Sequence, residues 1–137
     1  MEKPSGKLVW LHAVGLGEVL ALRGLILELH KKERNLNFLV TSSTVLSAEV
    51  FEKNIPPKTI HQFLPYDVKI YGKRFLHHWK PDLVIWSEQD VWPGLSCQAS
   101  NLGIKQVLVN GKIRGDSFNR RIKIKPLHRV IYKNFEC

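Results

Sequence analysis

The chain has 137 residues, 44% hydrophobic and 24% charged, proportions of an ordinary globular protein with enough length for one domain and its core. Its 21 Lys and Arg against 12 Asp and Glu leave a formal charge of +9, which favours an anionic partner such as phosphate, nucleic acid or an acidic membrane surface. No run approaches the roughly 20 apolar residues of a membrane-spanning helix, and no signal-peptide pattern opens the chain. The two cysteines, Cys97 and Cys137, have neither metal nor redox spacing, which predicts a reducing compartment.

The first element is an apolar run from Leu8 to Leu11, followed by His12-Ala-Val-Gly15-Leu-Gly17-Glu18. It reads as a buried strand, a tight loop and a helix N-terminus. Gly15 and Gly17 let backbone approach a ligand without a Cβ in the way, and the helix opening near Glu18 directs free N–H groups and a positive dipole end at it. Glu18 is then either a first-turn stabiliser of its own helix or a general base aimed into a cleft. A dinucleotide fingerprint is excluded, because Leu20 stands where G-x-G-x-x-G needs its third glycine.

Leu20, Leu25, Ile26 and Leu29 form a helical stripe closed by Lys31, Lys32 and Arg34. Phe38-Leu39-Val40 predicts the second strand, and the hydroxyls of Thr41, Ser42, Ser43 and Thr44 follow at its end, either as helix caps or as ligand contacts. A helix of about eight residues runs to Pro56-Pro57, and residues 59–64 read as the third strand. Pro65-Tyr66-Asp67 makes a turn before an amphipathic helix over residues 70–79, stopped by Lys80-Pro81-Asp82. Leu83-Val84-Ile85-Trp86 is the fourth strand, followed at once by Ser87-Glu88-Gln89-Asp90. Pro93 starts a helix over residues 94–101, Gly103 closes it, and residues 106–109 form a fifth strand ending in Asn110-Gly111. Residues 112–137 are basic and less periodic, either a solvated face or a site of attraction to phosphate or acidic lipid.

Five strands alternating with helices predict an α/β fold: an open, mostly parallel, Rossmann-like sheet with flanking helices. Ligands of such sheets bind at the carboxyl ends of the strands. Glu18, the hydroxyls of residues 41–44, Glu88, Asp90 and Asn110 all follow strands, so parallel strands gather them at one rim, with Lys112 and Arg114 close behind. That rim supplies one carboxylate to deprotonate a hydroxyl and another to steady developing positive charge. The histidines show no metal-ligand spacing and read mostly as structural. His61, in His-Gln-Phe-Leu-Pro-Tyr-Asp, is expected near a substrate loop, and Trp92 is the tryptophan nearest the rim. Aromatics are not interleaved with basic residues, which argues against nucleic acid.

Four ordered motifs carry a family resemblance: Trp10-Leu-His-Ala-Val-Gly-Leu-Gly-Glu18, His61-Gln-Phe-Leu-Pro-Tyr-Asp67, Glu88-Gln-Asp-Val-Trp-Pro93 and Val109-Asn-Gly-Lys-Ile113. In order and spacing the chain resembles the N-terminal half of 3-deoxy-D-manno-octulosonic acid (Kdo) transferases, which are similar in fold to two-domain GT-B glycosyltransferases. The resemblance implies transfer of Kdo from CMP-Kdo to a phosphorylated lipid A precursor, in lipopolysaccharide biosynthesis at the cytoplasmic face of the bacterial inner membrane. It implies that Glu18 is the general base and Glu88 the transition-state stabiliser. Gly15, Gly17, Thr41, Ser42, His61, Asp90, Asn110, Lys112 and Arg114 are expected to contact substrate. Three loops depart from the family's usual pattern: Gly15-Leu-Gly-Glu18 for Ser-Val-Gly-Glu, Thr44-Val-Leu-Ser47 for Thr-Pro-Thr-Gly, and Gly111-Lys-Ile-Arg114 for Ala-Arg-Leu-Ser.

Residues 1–137 are thus expected to form one acceptor-binding domain, peripheral to an anionic membrane surface. Both ends read as cut, so the second GT-B domain, the main holder of CMP-Kdo, and a membrane anchor are expected to be missing and the chain inactive alone. No metal or cofactor is expected. The alternative from another class is a non-catalytic basic module that holds phosphate or an acidic membrane surface.

Overall fold

The computed structural model of the protein describes residues 1–87 and 91–109. Strands and helices alternate along them: β1 (Leu8–His12), α1 (Leu16–Lys32), β2 (Asn37–Ser42), α2 (Val45–Glu52), β3 (Thr59–Phe63), α3 (Lys69–Trp79), β4 (Leu83–Ser87), α4 (Pro93–Asn101) and β5 (Lys105–Val109). The strands form one sheet in the order β3-β2-β1-β4-β5, and every neighbouring pair is parallel. The predicted open parallel α/β sheet is therefore the observed one. β1 pairs with β2 on one side and β4 on the other, so the strand order reverses beside its end. The crevice at such a reversal is where open α/β sheets bind ligands.

Strand alternation sorts the core onto two faces. Leu8, Trp10, Leu39, Val84 and Trp86 pack with Phe75, Leu76 and Trp79 of α3 and Leu95 and Ala99 of α4. Val9, Leu11, Phe38, Val40 and Ile85 pack with Val19, Leu22 and Ile26 of α1 and Phe51 of α2. β1 is buried along its whole length, which is why it reads as an unbroken apolar run rather than an alternation. Trp10 meets Phe75 and Trp86 edge-on, with ring centroids 4.8 and 5.2 Å away.

Two elements run further than the sequence pattern predicts. α1 begins at Leu16 and continues to Lys32, placing His30, Lys31 and Lys32 in its last turn, where cations meet the negative end of the dipole. β2 continues through Thr41 and Ser42; flanked by strands on both sides, these two residues are ladder positions rather than a loop.

Buried polar groups tie the layers together. The Gln106 amide is saturated: its Oε1 accepts from Trp86 Nε1 at 2.9 Å and Ser96 Oγ at 2.9 Å, and its Nε2 donates to Ser96 O at 3.0 Å and Ser100 Oγ at 2.7 Å. α4 opens on Trp92-Pro93, without a side-chain cap of its own. Asp67 supplies one from the β3–α3 loop, accepting from the backbone N–H of Gly94 at 2.9 Å and Leu95 at 2.8 Å. The Leu-Pro-Tyr-Asp motif is thus a distant helix cap.

Replacing Gln106 by Leu strands two buried donors, each of which costs about 1–3 kcal/mol when left unpaired. Urea denaturation of Gln106→Leu is expected to show a loss of about 3 kcal/mol with an unchanged m value.

Candidate functional site

The site is built on the turn from β1 into α1. Gly15 is the N-cap of α1, with φ −78° and ψ 158°, and its carbonyl accepts the first helical bond from Val19 N–H at 3.0 Å. Gly17 and Glu18 therefore lie inside the first turn, not in the loop that the sequence pattern predicts. The Glu18 carboxylate folds back over Gly15, so that a Cβ at position 15 would collide with Glu18 Oε2. It is the bareness of Gly15 that the structure uses; a Cβ at Gly17 would meet nothing within 4 Å. Glu18 Oε2 is buried and has no hydrogen-bond partner among the described residues.

Glu18 opens onto a cleft of about 230 Å³ lined by Gly17, Ala21, Leu22 and Leu25 of α1 and by Ser87 and Val109, the last residues of β4 and β5. Residues from β1's following helix and from the end of β4 thus meet at the strand-order reversal. Glu88 is bonded directly to Ser87, but its side chain lies outside the described residues, as do Asp90, Asn110, Lys112 and Arg114. Glu18 and Gly17 are the expected site residues that the described structure brings to the cleft, with Gly15 beneath the carboxylate.

Thr41, Ser42 and His61, expected to contact substrate, are buried and engaged within the protein. His12 and Thr41 face the α3–α4 layer, across the sheet from Glu18. Thr41 Oγ1 accepts from Trp10 Nε1 at 2.9 Å and lies 2.9 Å from His12 Nδ1. Ser42 faces the α1–α2 layer, where its hydroxyl is 2.9 Å from His61 Nε2. The other His61 nitrogen is 3.1 Å from Glu52 Oε1, and its ring lies between Phe51 and Phe63. β3 is an edge strand two places from β1, so His61 pins α2 to β3 instead of facing the cleft. Thr44 does cap α2, accepting from Ser47 N–H at 3.2 Å, and its hydroxyl donates to Ser47 Oγ at 2.7 Å. Ser47 in turn donates to Val14 O at 3.2 Å, holding the turn that carries Gly15.

His12 is the buried group that the motif reading undervalues. It is fully buried at the end of β1. Trp92 Nε1 donates to its Nε2 at 3.1 Å, and because an indole N–H is a donor only, Nε2 must be unprotonated. The proton then sits on Nδ1, which faces Thr41 O at 3.1 Å and Thr41 Oγ1 at 2.9 Å. Burial holds the imidazole well below its ordinary value of 6.5, at about 4, against a smaller opposing contribution from the Thr41 carbonyl. The two-residue step from Trp10 to His12 was the sequence signal, since it puts both on one face of the strand. Among the described residues no group of three or more His, Cys, Asp or Glu is placed to hold a metal ion.

Comparison with known proteins agrees with this geometry. The profile described as "3-Deoxy-D-manno-octulosonic-acid transferase (kdotransferase)" matches residues 1–137. The chain belongs to the Kdo transferase family. It is 40% identical over 128 residues to the 3-deoxy-D-manno-octulosonic acid transferase of Rickettsia typhi, covering 93% of this chain and 28% of the relative. It is 39% identical over 118 residues to the probable mitochondrial Kdo transferase of Arabidopsis thaliana, covering 86% and 26%. The Haemophilus influenzae transferase is 30% identical over 122 residues, covering 89% and 28%. The chain therefore spans between a quarter and a third of the length of these Kdo transferases. Among solved structures, a UDP-N-acetylglucosamine 2-epimerase superposes with a TM-score of 0.60 at 16% identity, covering 98% of this chain and 39% of that one. Acinetobacter baumannii MurG superposes with 0.58 at 16% identity, covering 93% and 40%. These similarities support the GT-B-like fold expected from the sequence.

The depressed His12 gives a signed pH dependence. Between pH 6.5 and about 4 the unfolded chain binds a proton that the folded one refuses, so stability falls as pH falls through that window and is retained above it. At 1.36 kcal/mol per unit, this group alone removes about 3 kcal/mol across the window. Unfolding free energies measured from pH 7 to pH 4 are expected to slope less for His12→Gln than for the wild type, by that amount.

Proposed function

We propose that the chain is the acceptor-binding part of a Kdo transferase, with Glu18 as its general base. The supporting observation is the Glu18 carboxylate: one oxygen is buried without a donor, at the first turn of α1, in a cleft shared with the end of β4. A first-turn stabiliser would spend both oxygens on backbone N–H groups or water; this one gains from a ligand O–H. In the proposed step an acceptor sugar hydroxyl gives its proton to Glu18 as its oxygen bonds to the anomeric carbon of Kdo. The bond from that carbon to CMP breaks, and CMP leaves with the electron pair. Glu88, following Ser87, is the carboxylate assigned to the positive charge that develops at the anomeric carbon. Asp90, Asn110, Lys112 and Arg114 are proposed acceptor contacts. The donor CMP-Kdo is proposed to be held mainly by the part of the relatives' length that residues 1–137 do not span, with no cofactor from this chain. Thr41, Ser42 and His61 are proposed to support the rim through their internal bonds.

The proposed acceptor is a phosphorylated lipid A precursor at the cytoplasmic face of the inner membrane. The support is the surface around the carboxyl ends of β2 and β3. Val45 and Leu46 open α2, and Phe63, Tyr66, Val68, Ile70 and Tyr71 follow through the β3–α3 turn, all more than 40% exposed. Lys69, Lys73 and Arg74 are exposed on the same helix. Apolar and aromatic side chains bordered by cations, on a chain of charge +9, suit an anionic lipid interface. Among the described residues no helix is long and apolar enough to cross a membrane. The same surface favours a second reading, in which the chain only binds acidic membrane.

A chimera in which residues 1–137 replace the matched segment of the Rickettsia typhi transferase tests the enzyme reading. It is expected to transfer Kdo, and Glu18→Gln in it to lower kcat by about 10²–10⁴-fold, the usual worth of a general base, with little change in KM. A kcat within threefold of the unmutated chimera would remove Glu18 from the role. The chain assayed alone is expected to bind acceptor without turnover.

Membrane association is checked by co-sedimentation of the chain with vesicles of mixed zwitterionic and anionic phospholipid. Binding is expected to require the anionic lipid, and to weaken at least fivefold in Lys69→Glu/Lys73→Glu and separately in Tyr66→Ser/Ile70→Ser. Equal binding to purely zwitterionic vesicles would refute the electrostatic part.

A further inference from the structure

The end of β1 carries a second device, on the opposite face of the sheet from Glu18. Ser87 lines the Glu18 cleft beside α1. Five residues later, Trp92 packs against the α3–α4 cluster and donates its indole N–H to His12 Nε2 at 3.1 Å. The chain thus passes from one face of the sheet to the other between these two residues. Its first end is held by the β4 ladder, Ser87 pairing with Val109; its second is held by a hydrogen bond to an imidazole. His12 is oriented in turn by Thr41, whose hydroxyl also takes the Trp10 indole N–H at 2.9 Å, and Trp86 lies edge-on to the same ring, 5.8 Å between centroids. Every member of this chain of bonds except Trp92 is fully buried, so the acceptor offered to Trp92 is rigid.

We propose that His12, as a neutral acceptor fixed through Thr41, is the positioning residue that holds the segment carrying Glu88 at the Glu18 cleft. It touches no substrate in this arrangement; it acts through Trp92. The proposal rests on the assignment of Glu88 for its catalytic meaning, but not for its physical content, which is an anchored segment and is measured without substrate. The ring's partners among the described residues, Thr41, Trp86 and Trp92, are not titratable, whereas Glu88 and Asp90 border the segment itself. The test is therefore made at neutral pH, by variants rather than by acid.

Amide hydrogen exchange of the whole chain, read by mass spectrometry on peptides spanning residues 86–93, makes the measurement. Trp92→Phe keeps the ring and removes the donor. It is expected to speed exchange in that segment at least tenfold while peptides from β1, β2 and α1 keep their wild-type rates. A Gln side chain reaches the Nε2 position with a carbonyl acceptor, and an Asn side chain reaches only the Nδ1 position. His12→Gln is accordingly expected to keep segment protection within threefold of wild type, and His12→Asn to match Trp92→Phe. A role confined to general packing would make Gln and Asn equivalent, or raise exchange uniformly across the sheet, and either result overturns the proposal. Unchanged exchange in Trp92→Phe also overturns it, and because Trp92 is only half-buried that variant remains informative should both His12 variants fail to fold. A Kdo-transfer failure of the chimera leaves this readout untouched, so the two ideas fail separately.

Discussion

The constraint on which this structure depends is that β1 is the one strand with α1 leaving its end and the strand order reversing beside it. β2 lies on one side and β4 on the other, so the segments that leave β1 and β4 diverge to opposite layers and open a crevice between them. The Trp10–Trp86 and Trp10–Phe75 contacts fix the spacing of β1 against β4 and α3. Buried aromatic pairs of this kind add about 0.5–1.5 kcal/mol beyond the area they cover. With that spacing set, the turn at Gly15 and the end of β4 at Ser87 are brought to one cleft with no ligand needed to assemble it.

Alternation along the strands then decides which polar groups meet. Trp10, His12 and Thr41 share a face, and Ile85 and Ser87 share the other. The base candidate and the imidazole that faces Trp92 are only six residues apart in sequence, yet the sheet lies between them. A register shift of one residue in β1 would exchange the two faces, turning His12 toward α1 and the apolar Leu11 toward Trp92. The chain guards against that shift at both ends of the strand. Leu8 N–H donates to Asp82 Oδ2 and Asp82 N–H to Leu8 O, each at 2.8 Å, and Ala13 N–H donates to Thr41 O at 3.2 Å.

Much of this was legible in the residues. Five apolar runs separated by helical stripes dictate a parallel sheet, and parallel strands put Glu18 and the end of β4 on one rim without knowledge of any coordinate. What was not legible was the inward or outward sense of the polar side chains near that rim. Thr41 and Ser42 look like an exposed hydroxyl loop in one dimension. They are strand residues because β2 is paired on both sides, and their hydroxyls are consumed by the tryptophan and histidine that strand register sets opposite them. His61 misled for the same reason, since its partners Ser42 and Glu52 are 19 and 9 residues away. The Asp67 cap on α4 bridges 27 residues; the only hint was that Trp92-Pro93-Gly94 opens a helix without offering any cap of its own.

The carboxylates themselves show why Glu18 stands apart. Asp67 accepts two backbone N–H bonds, Asp82 accepts from Leu8, and Glu33 accepts from the Asn35 N–H. Glu52 faces His61, and Glu28 pairs with Lys31, which holds its carboxyl below the usual range. Each of these is explained by the fold. Glu18 has an oxygen withdrawn from water over a bare glycine and given no donor in exchange, a position that costs about 1–3 kcal/mol for an ordinary polar group and more for a charge. Residue 18 could be an alanine, the best helix former, and no hydrogen bond to that oxygen would be lost. A side chain that the fold does not need, on a chain whose family transfers sugars, is best accounted for by a proton that arrives with the substrate.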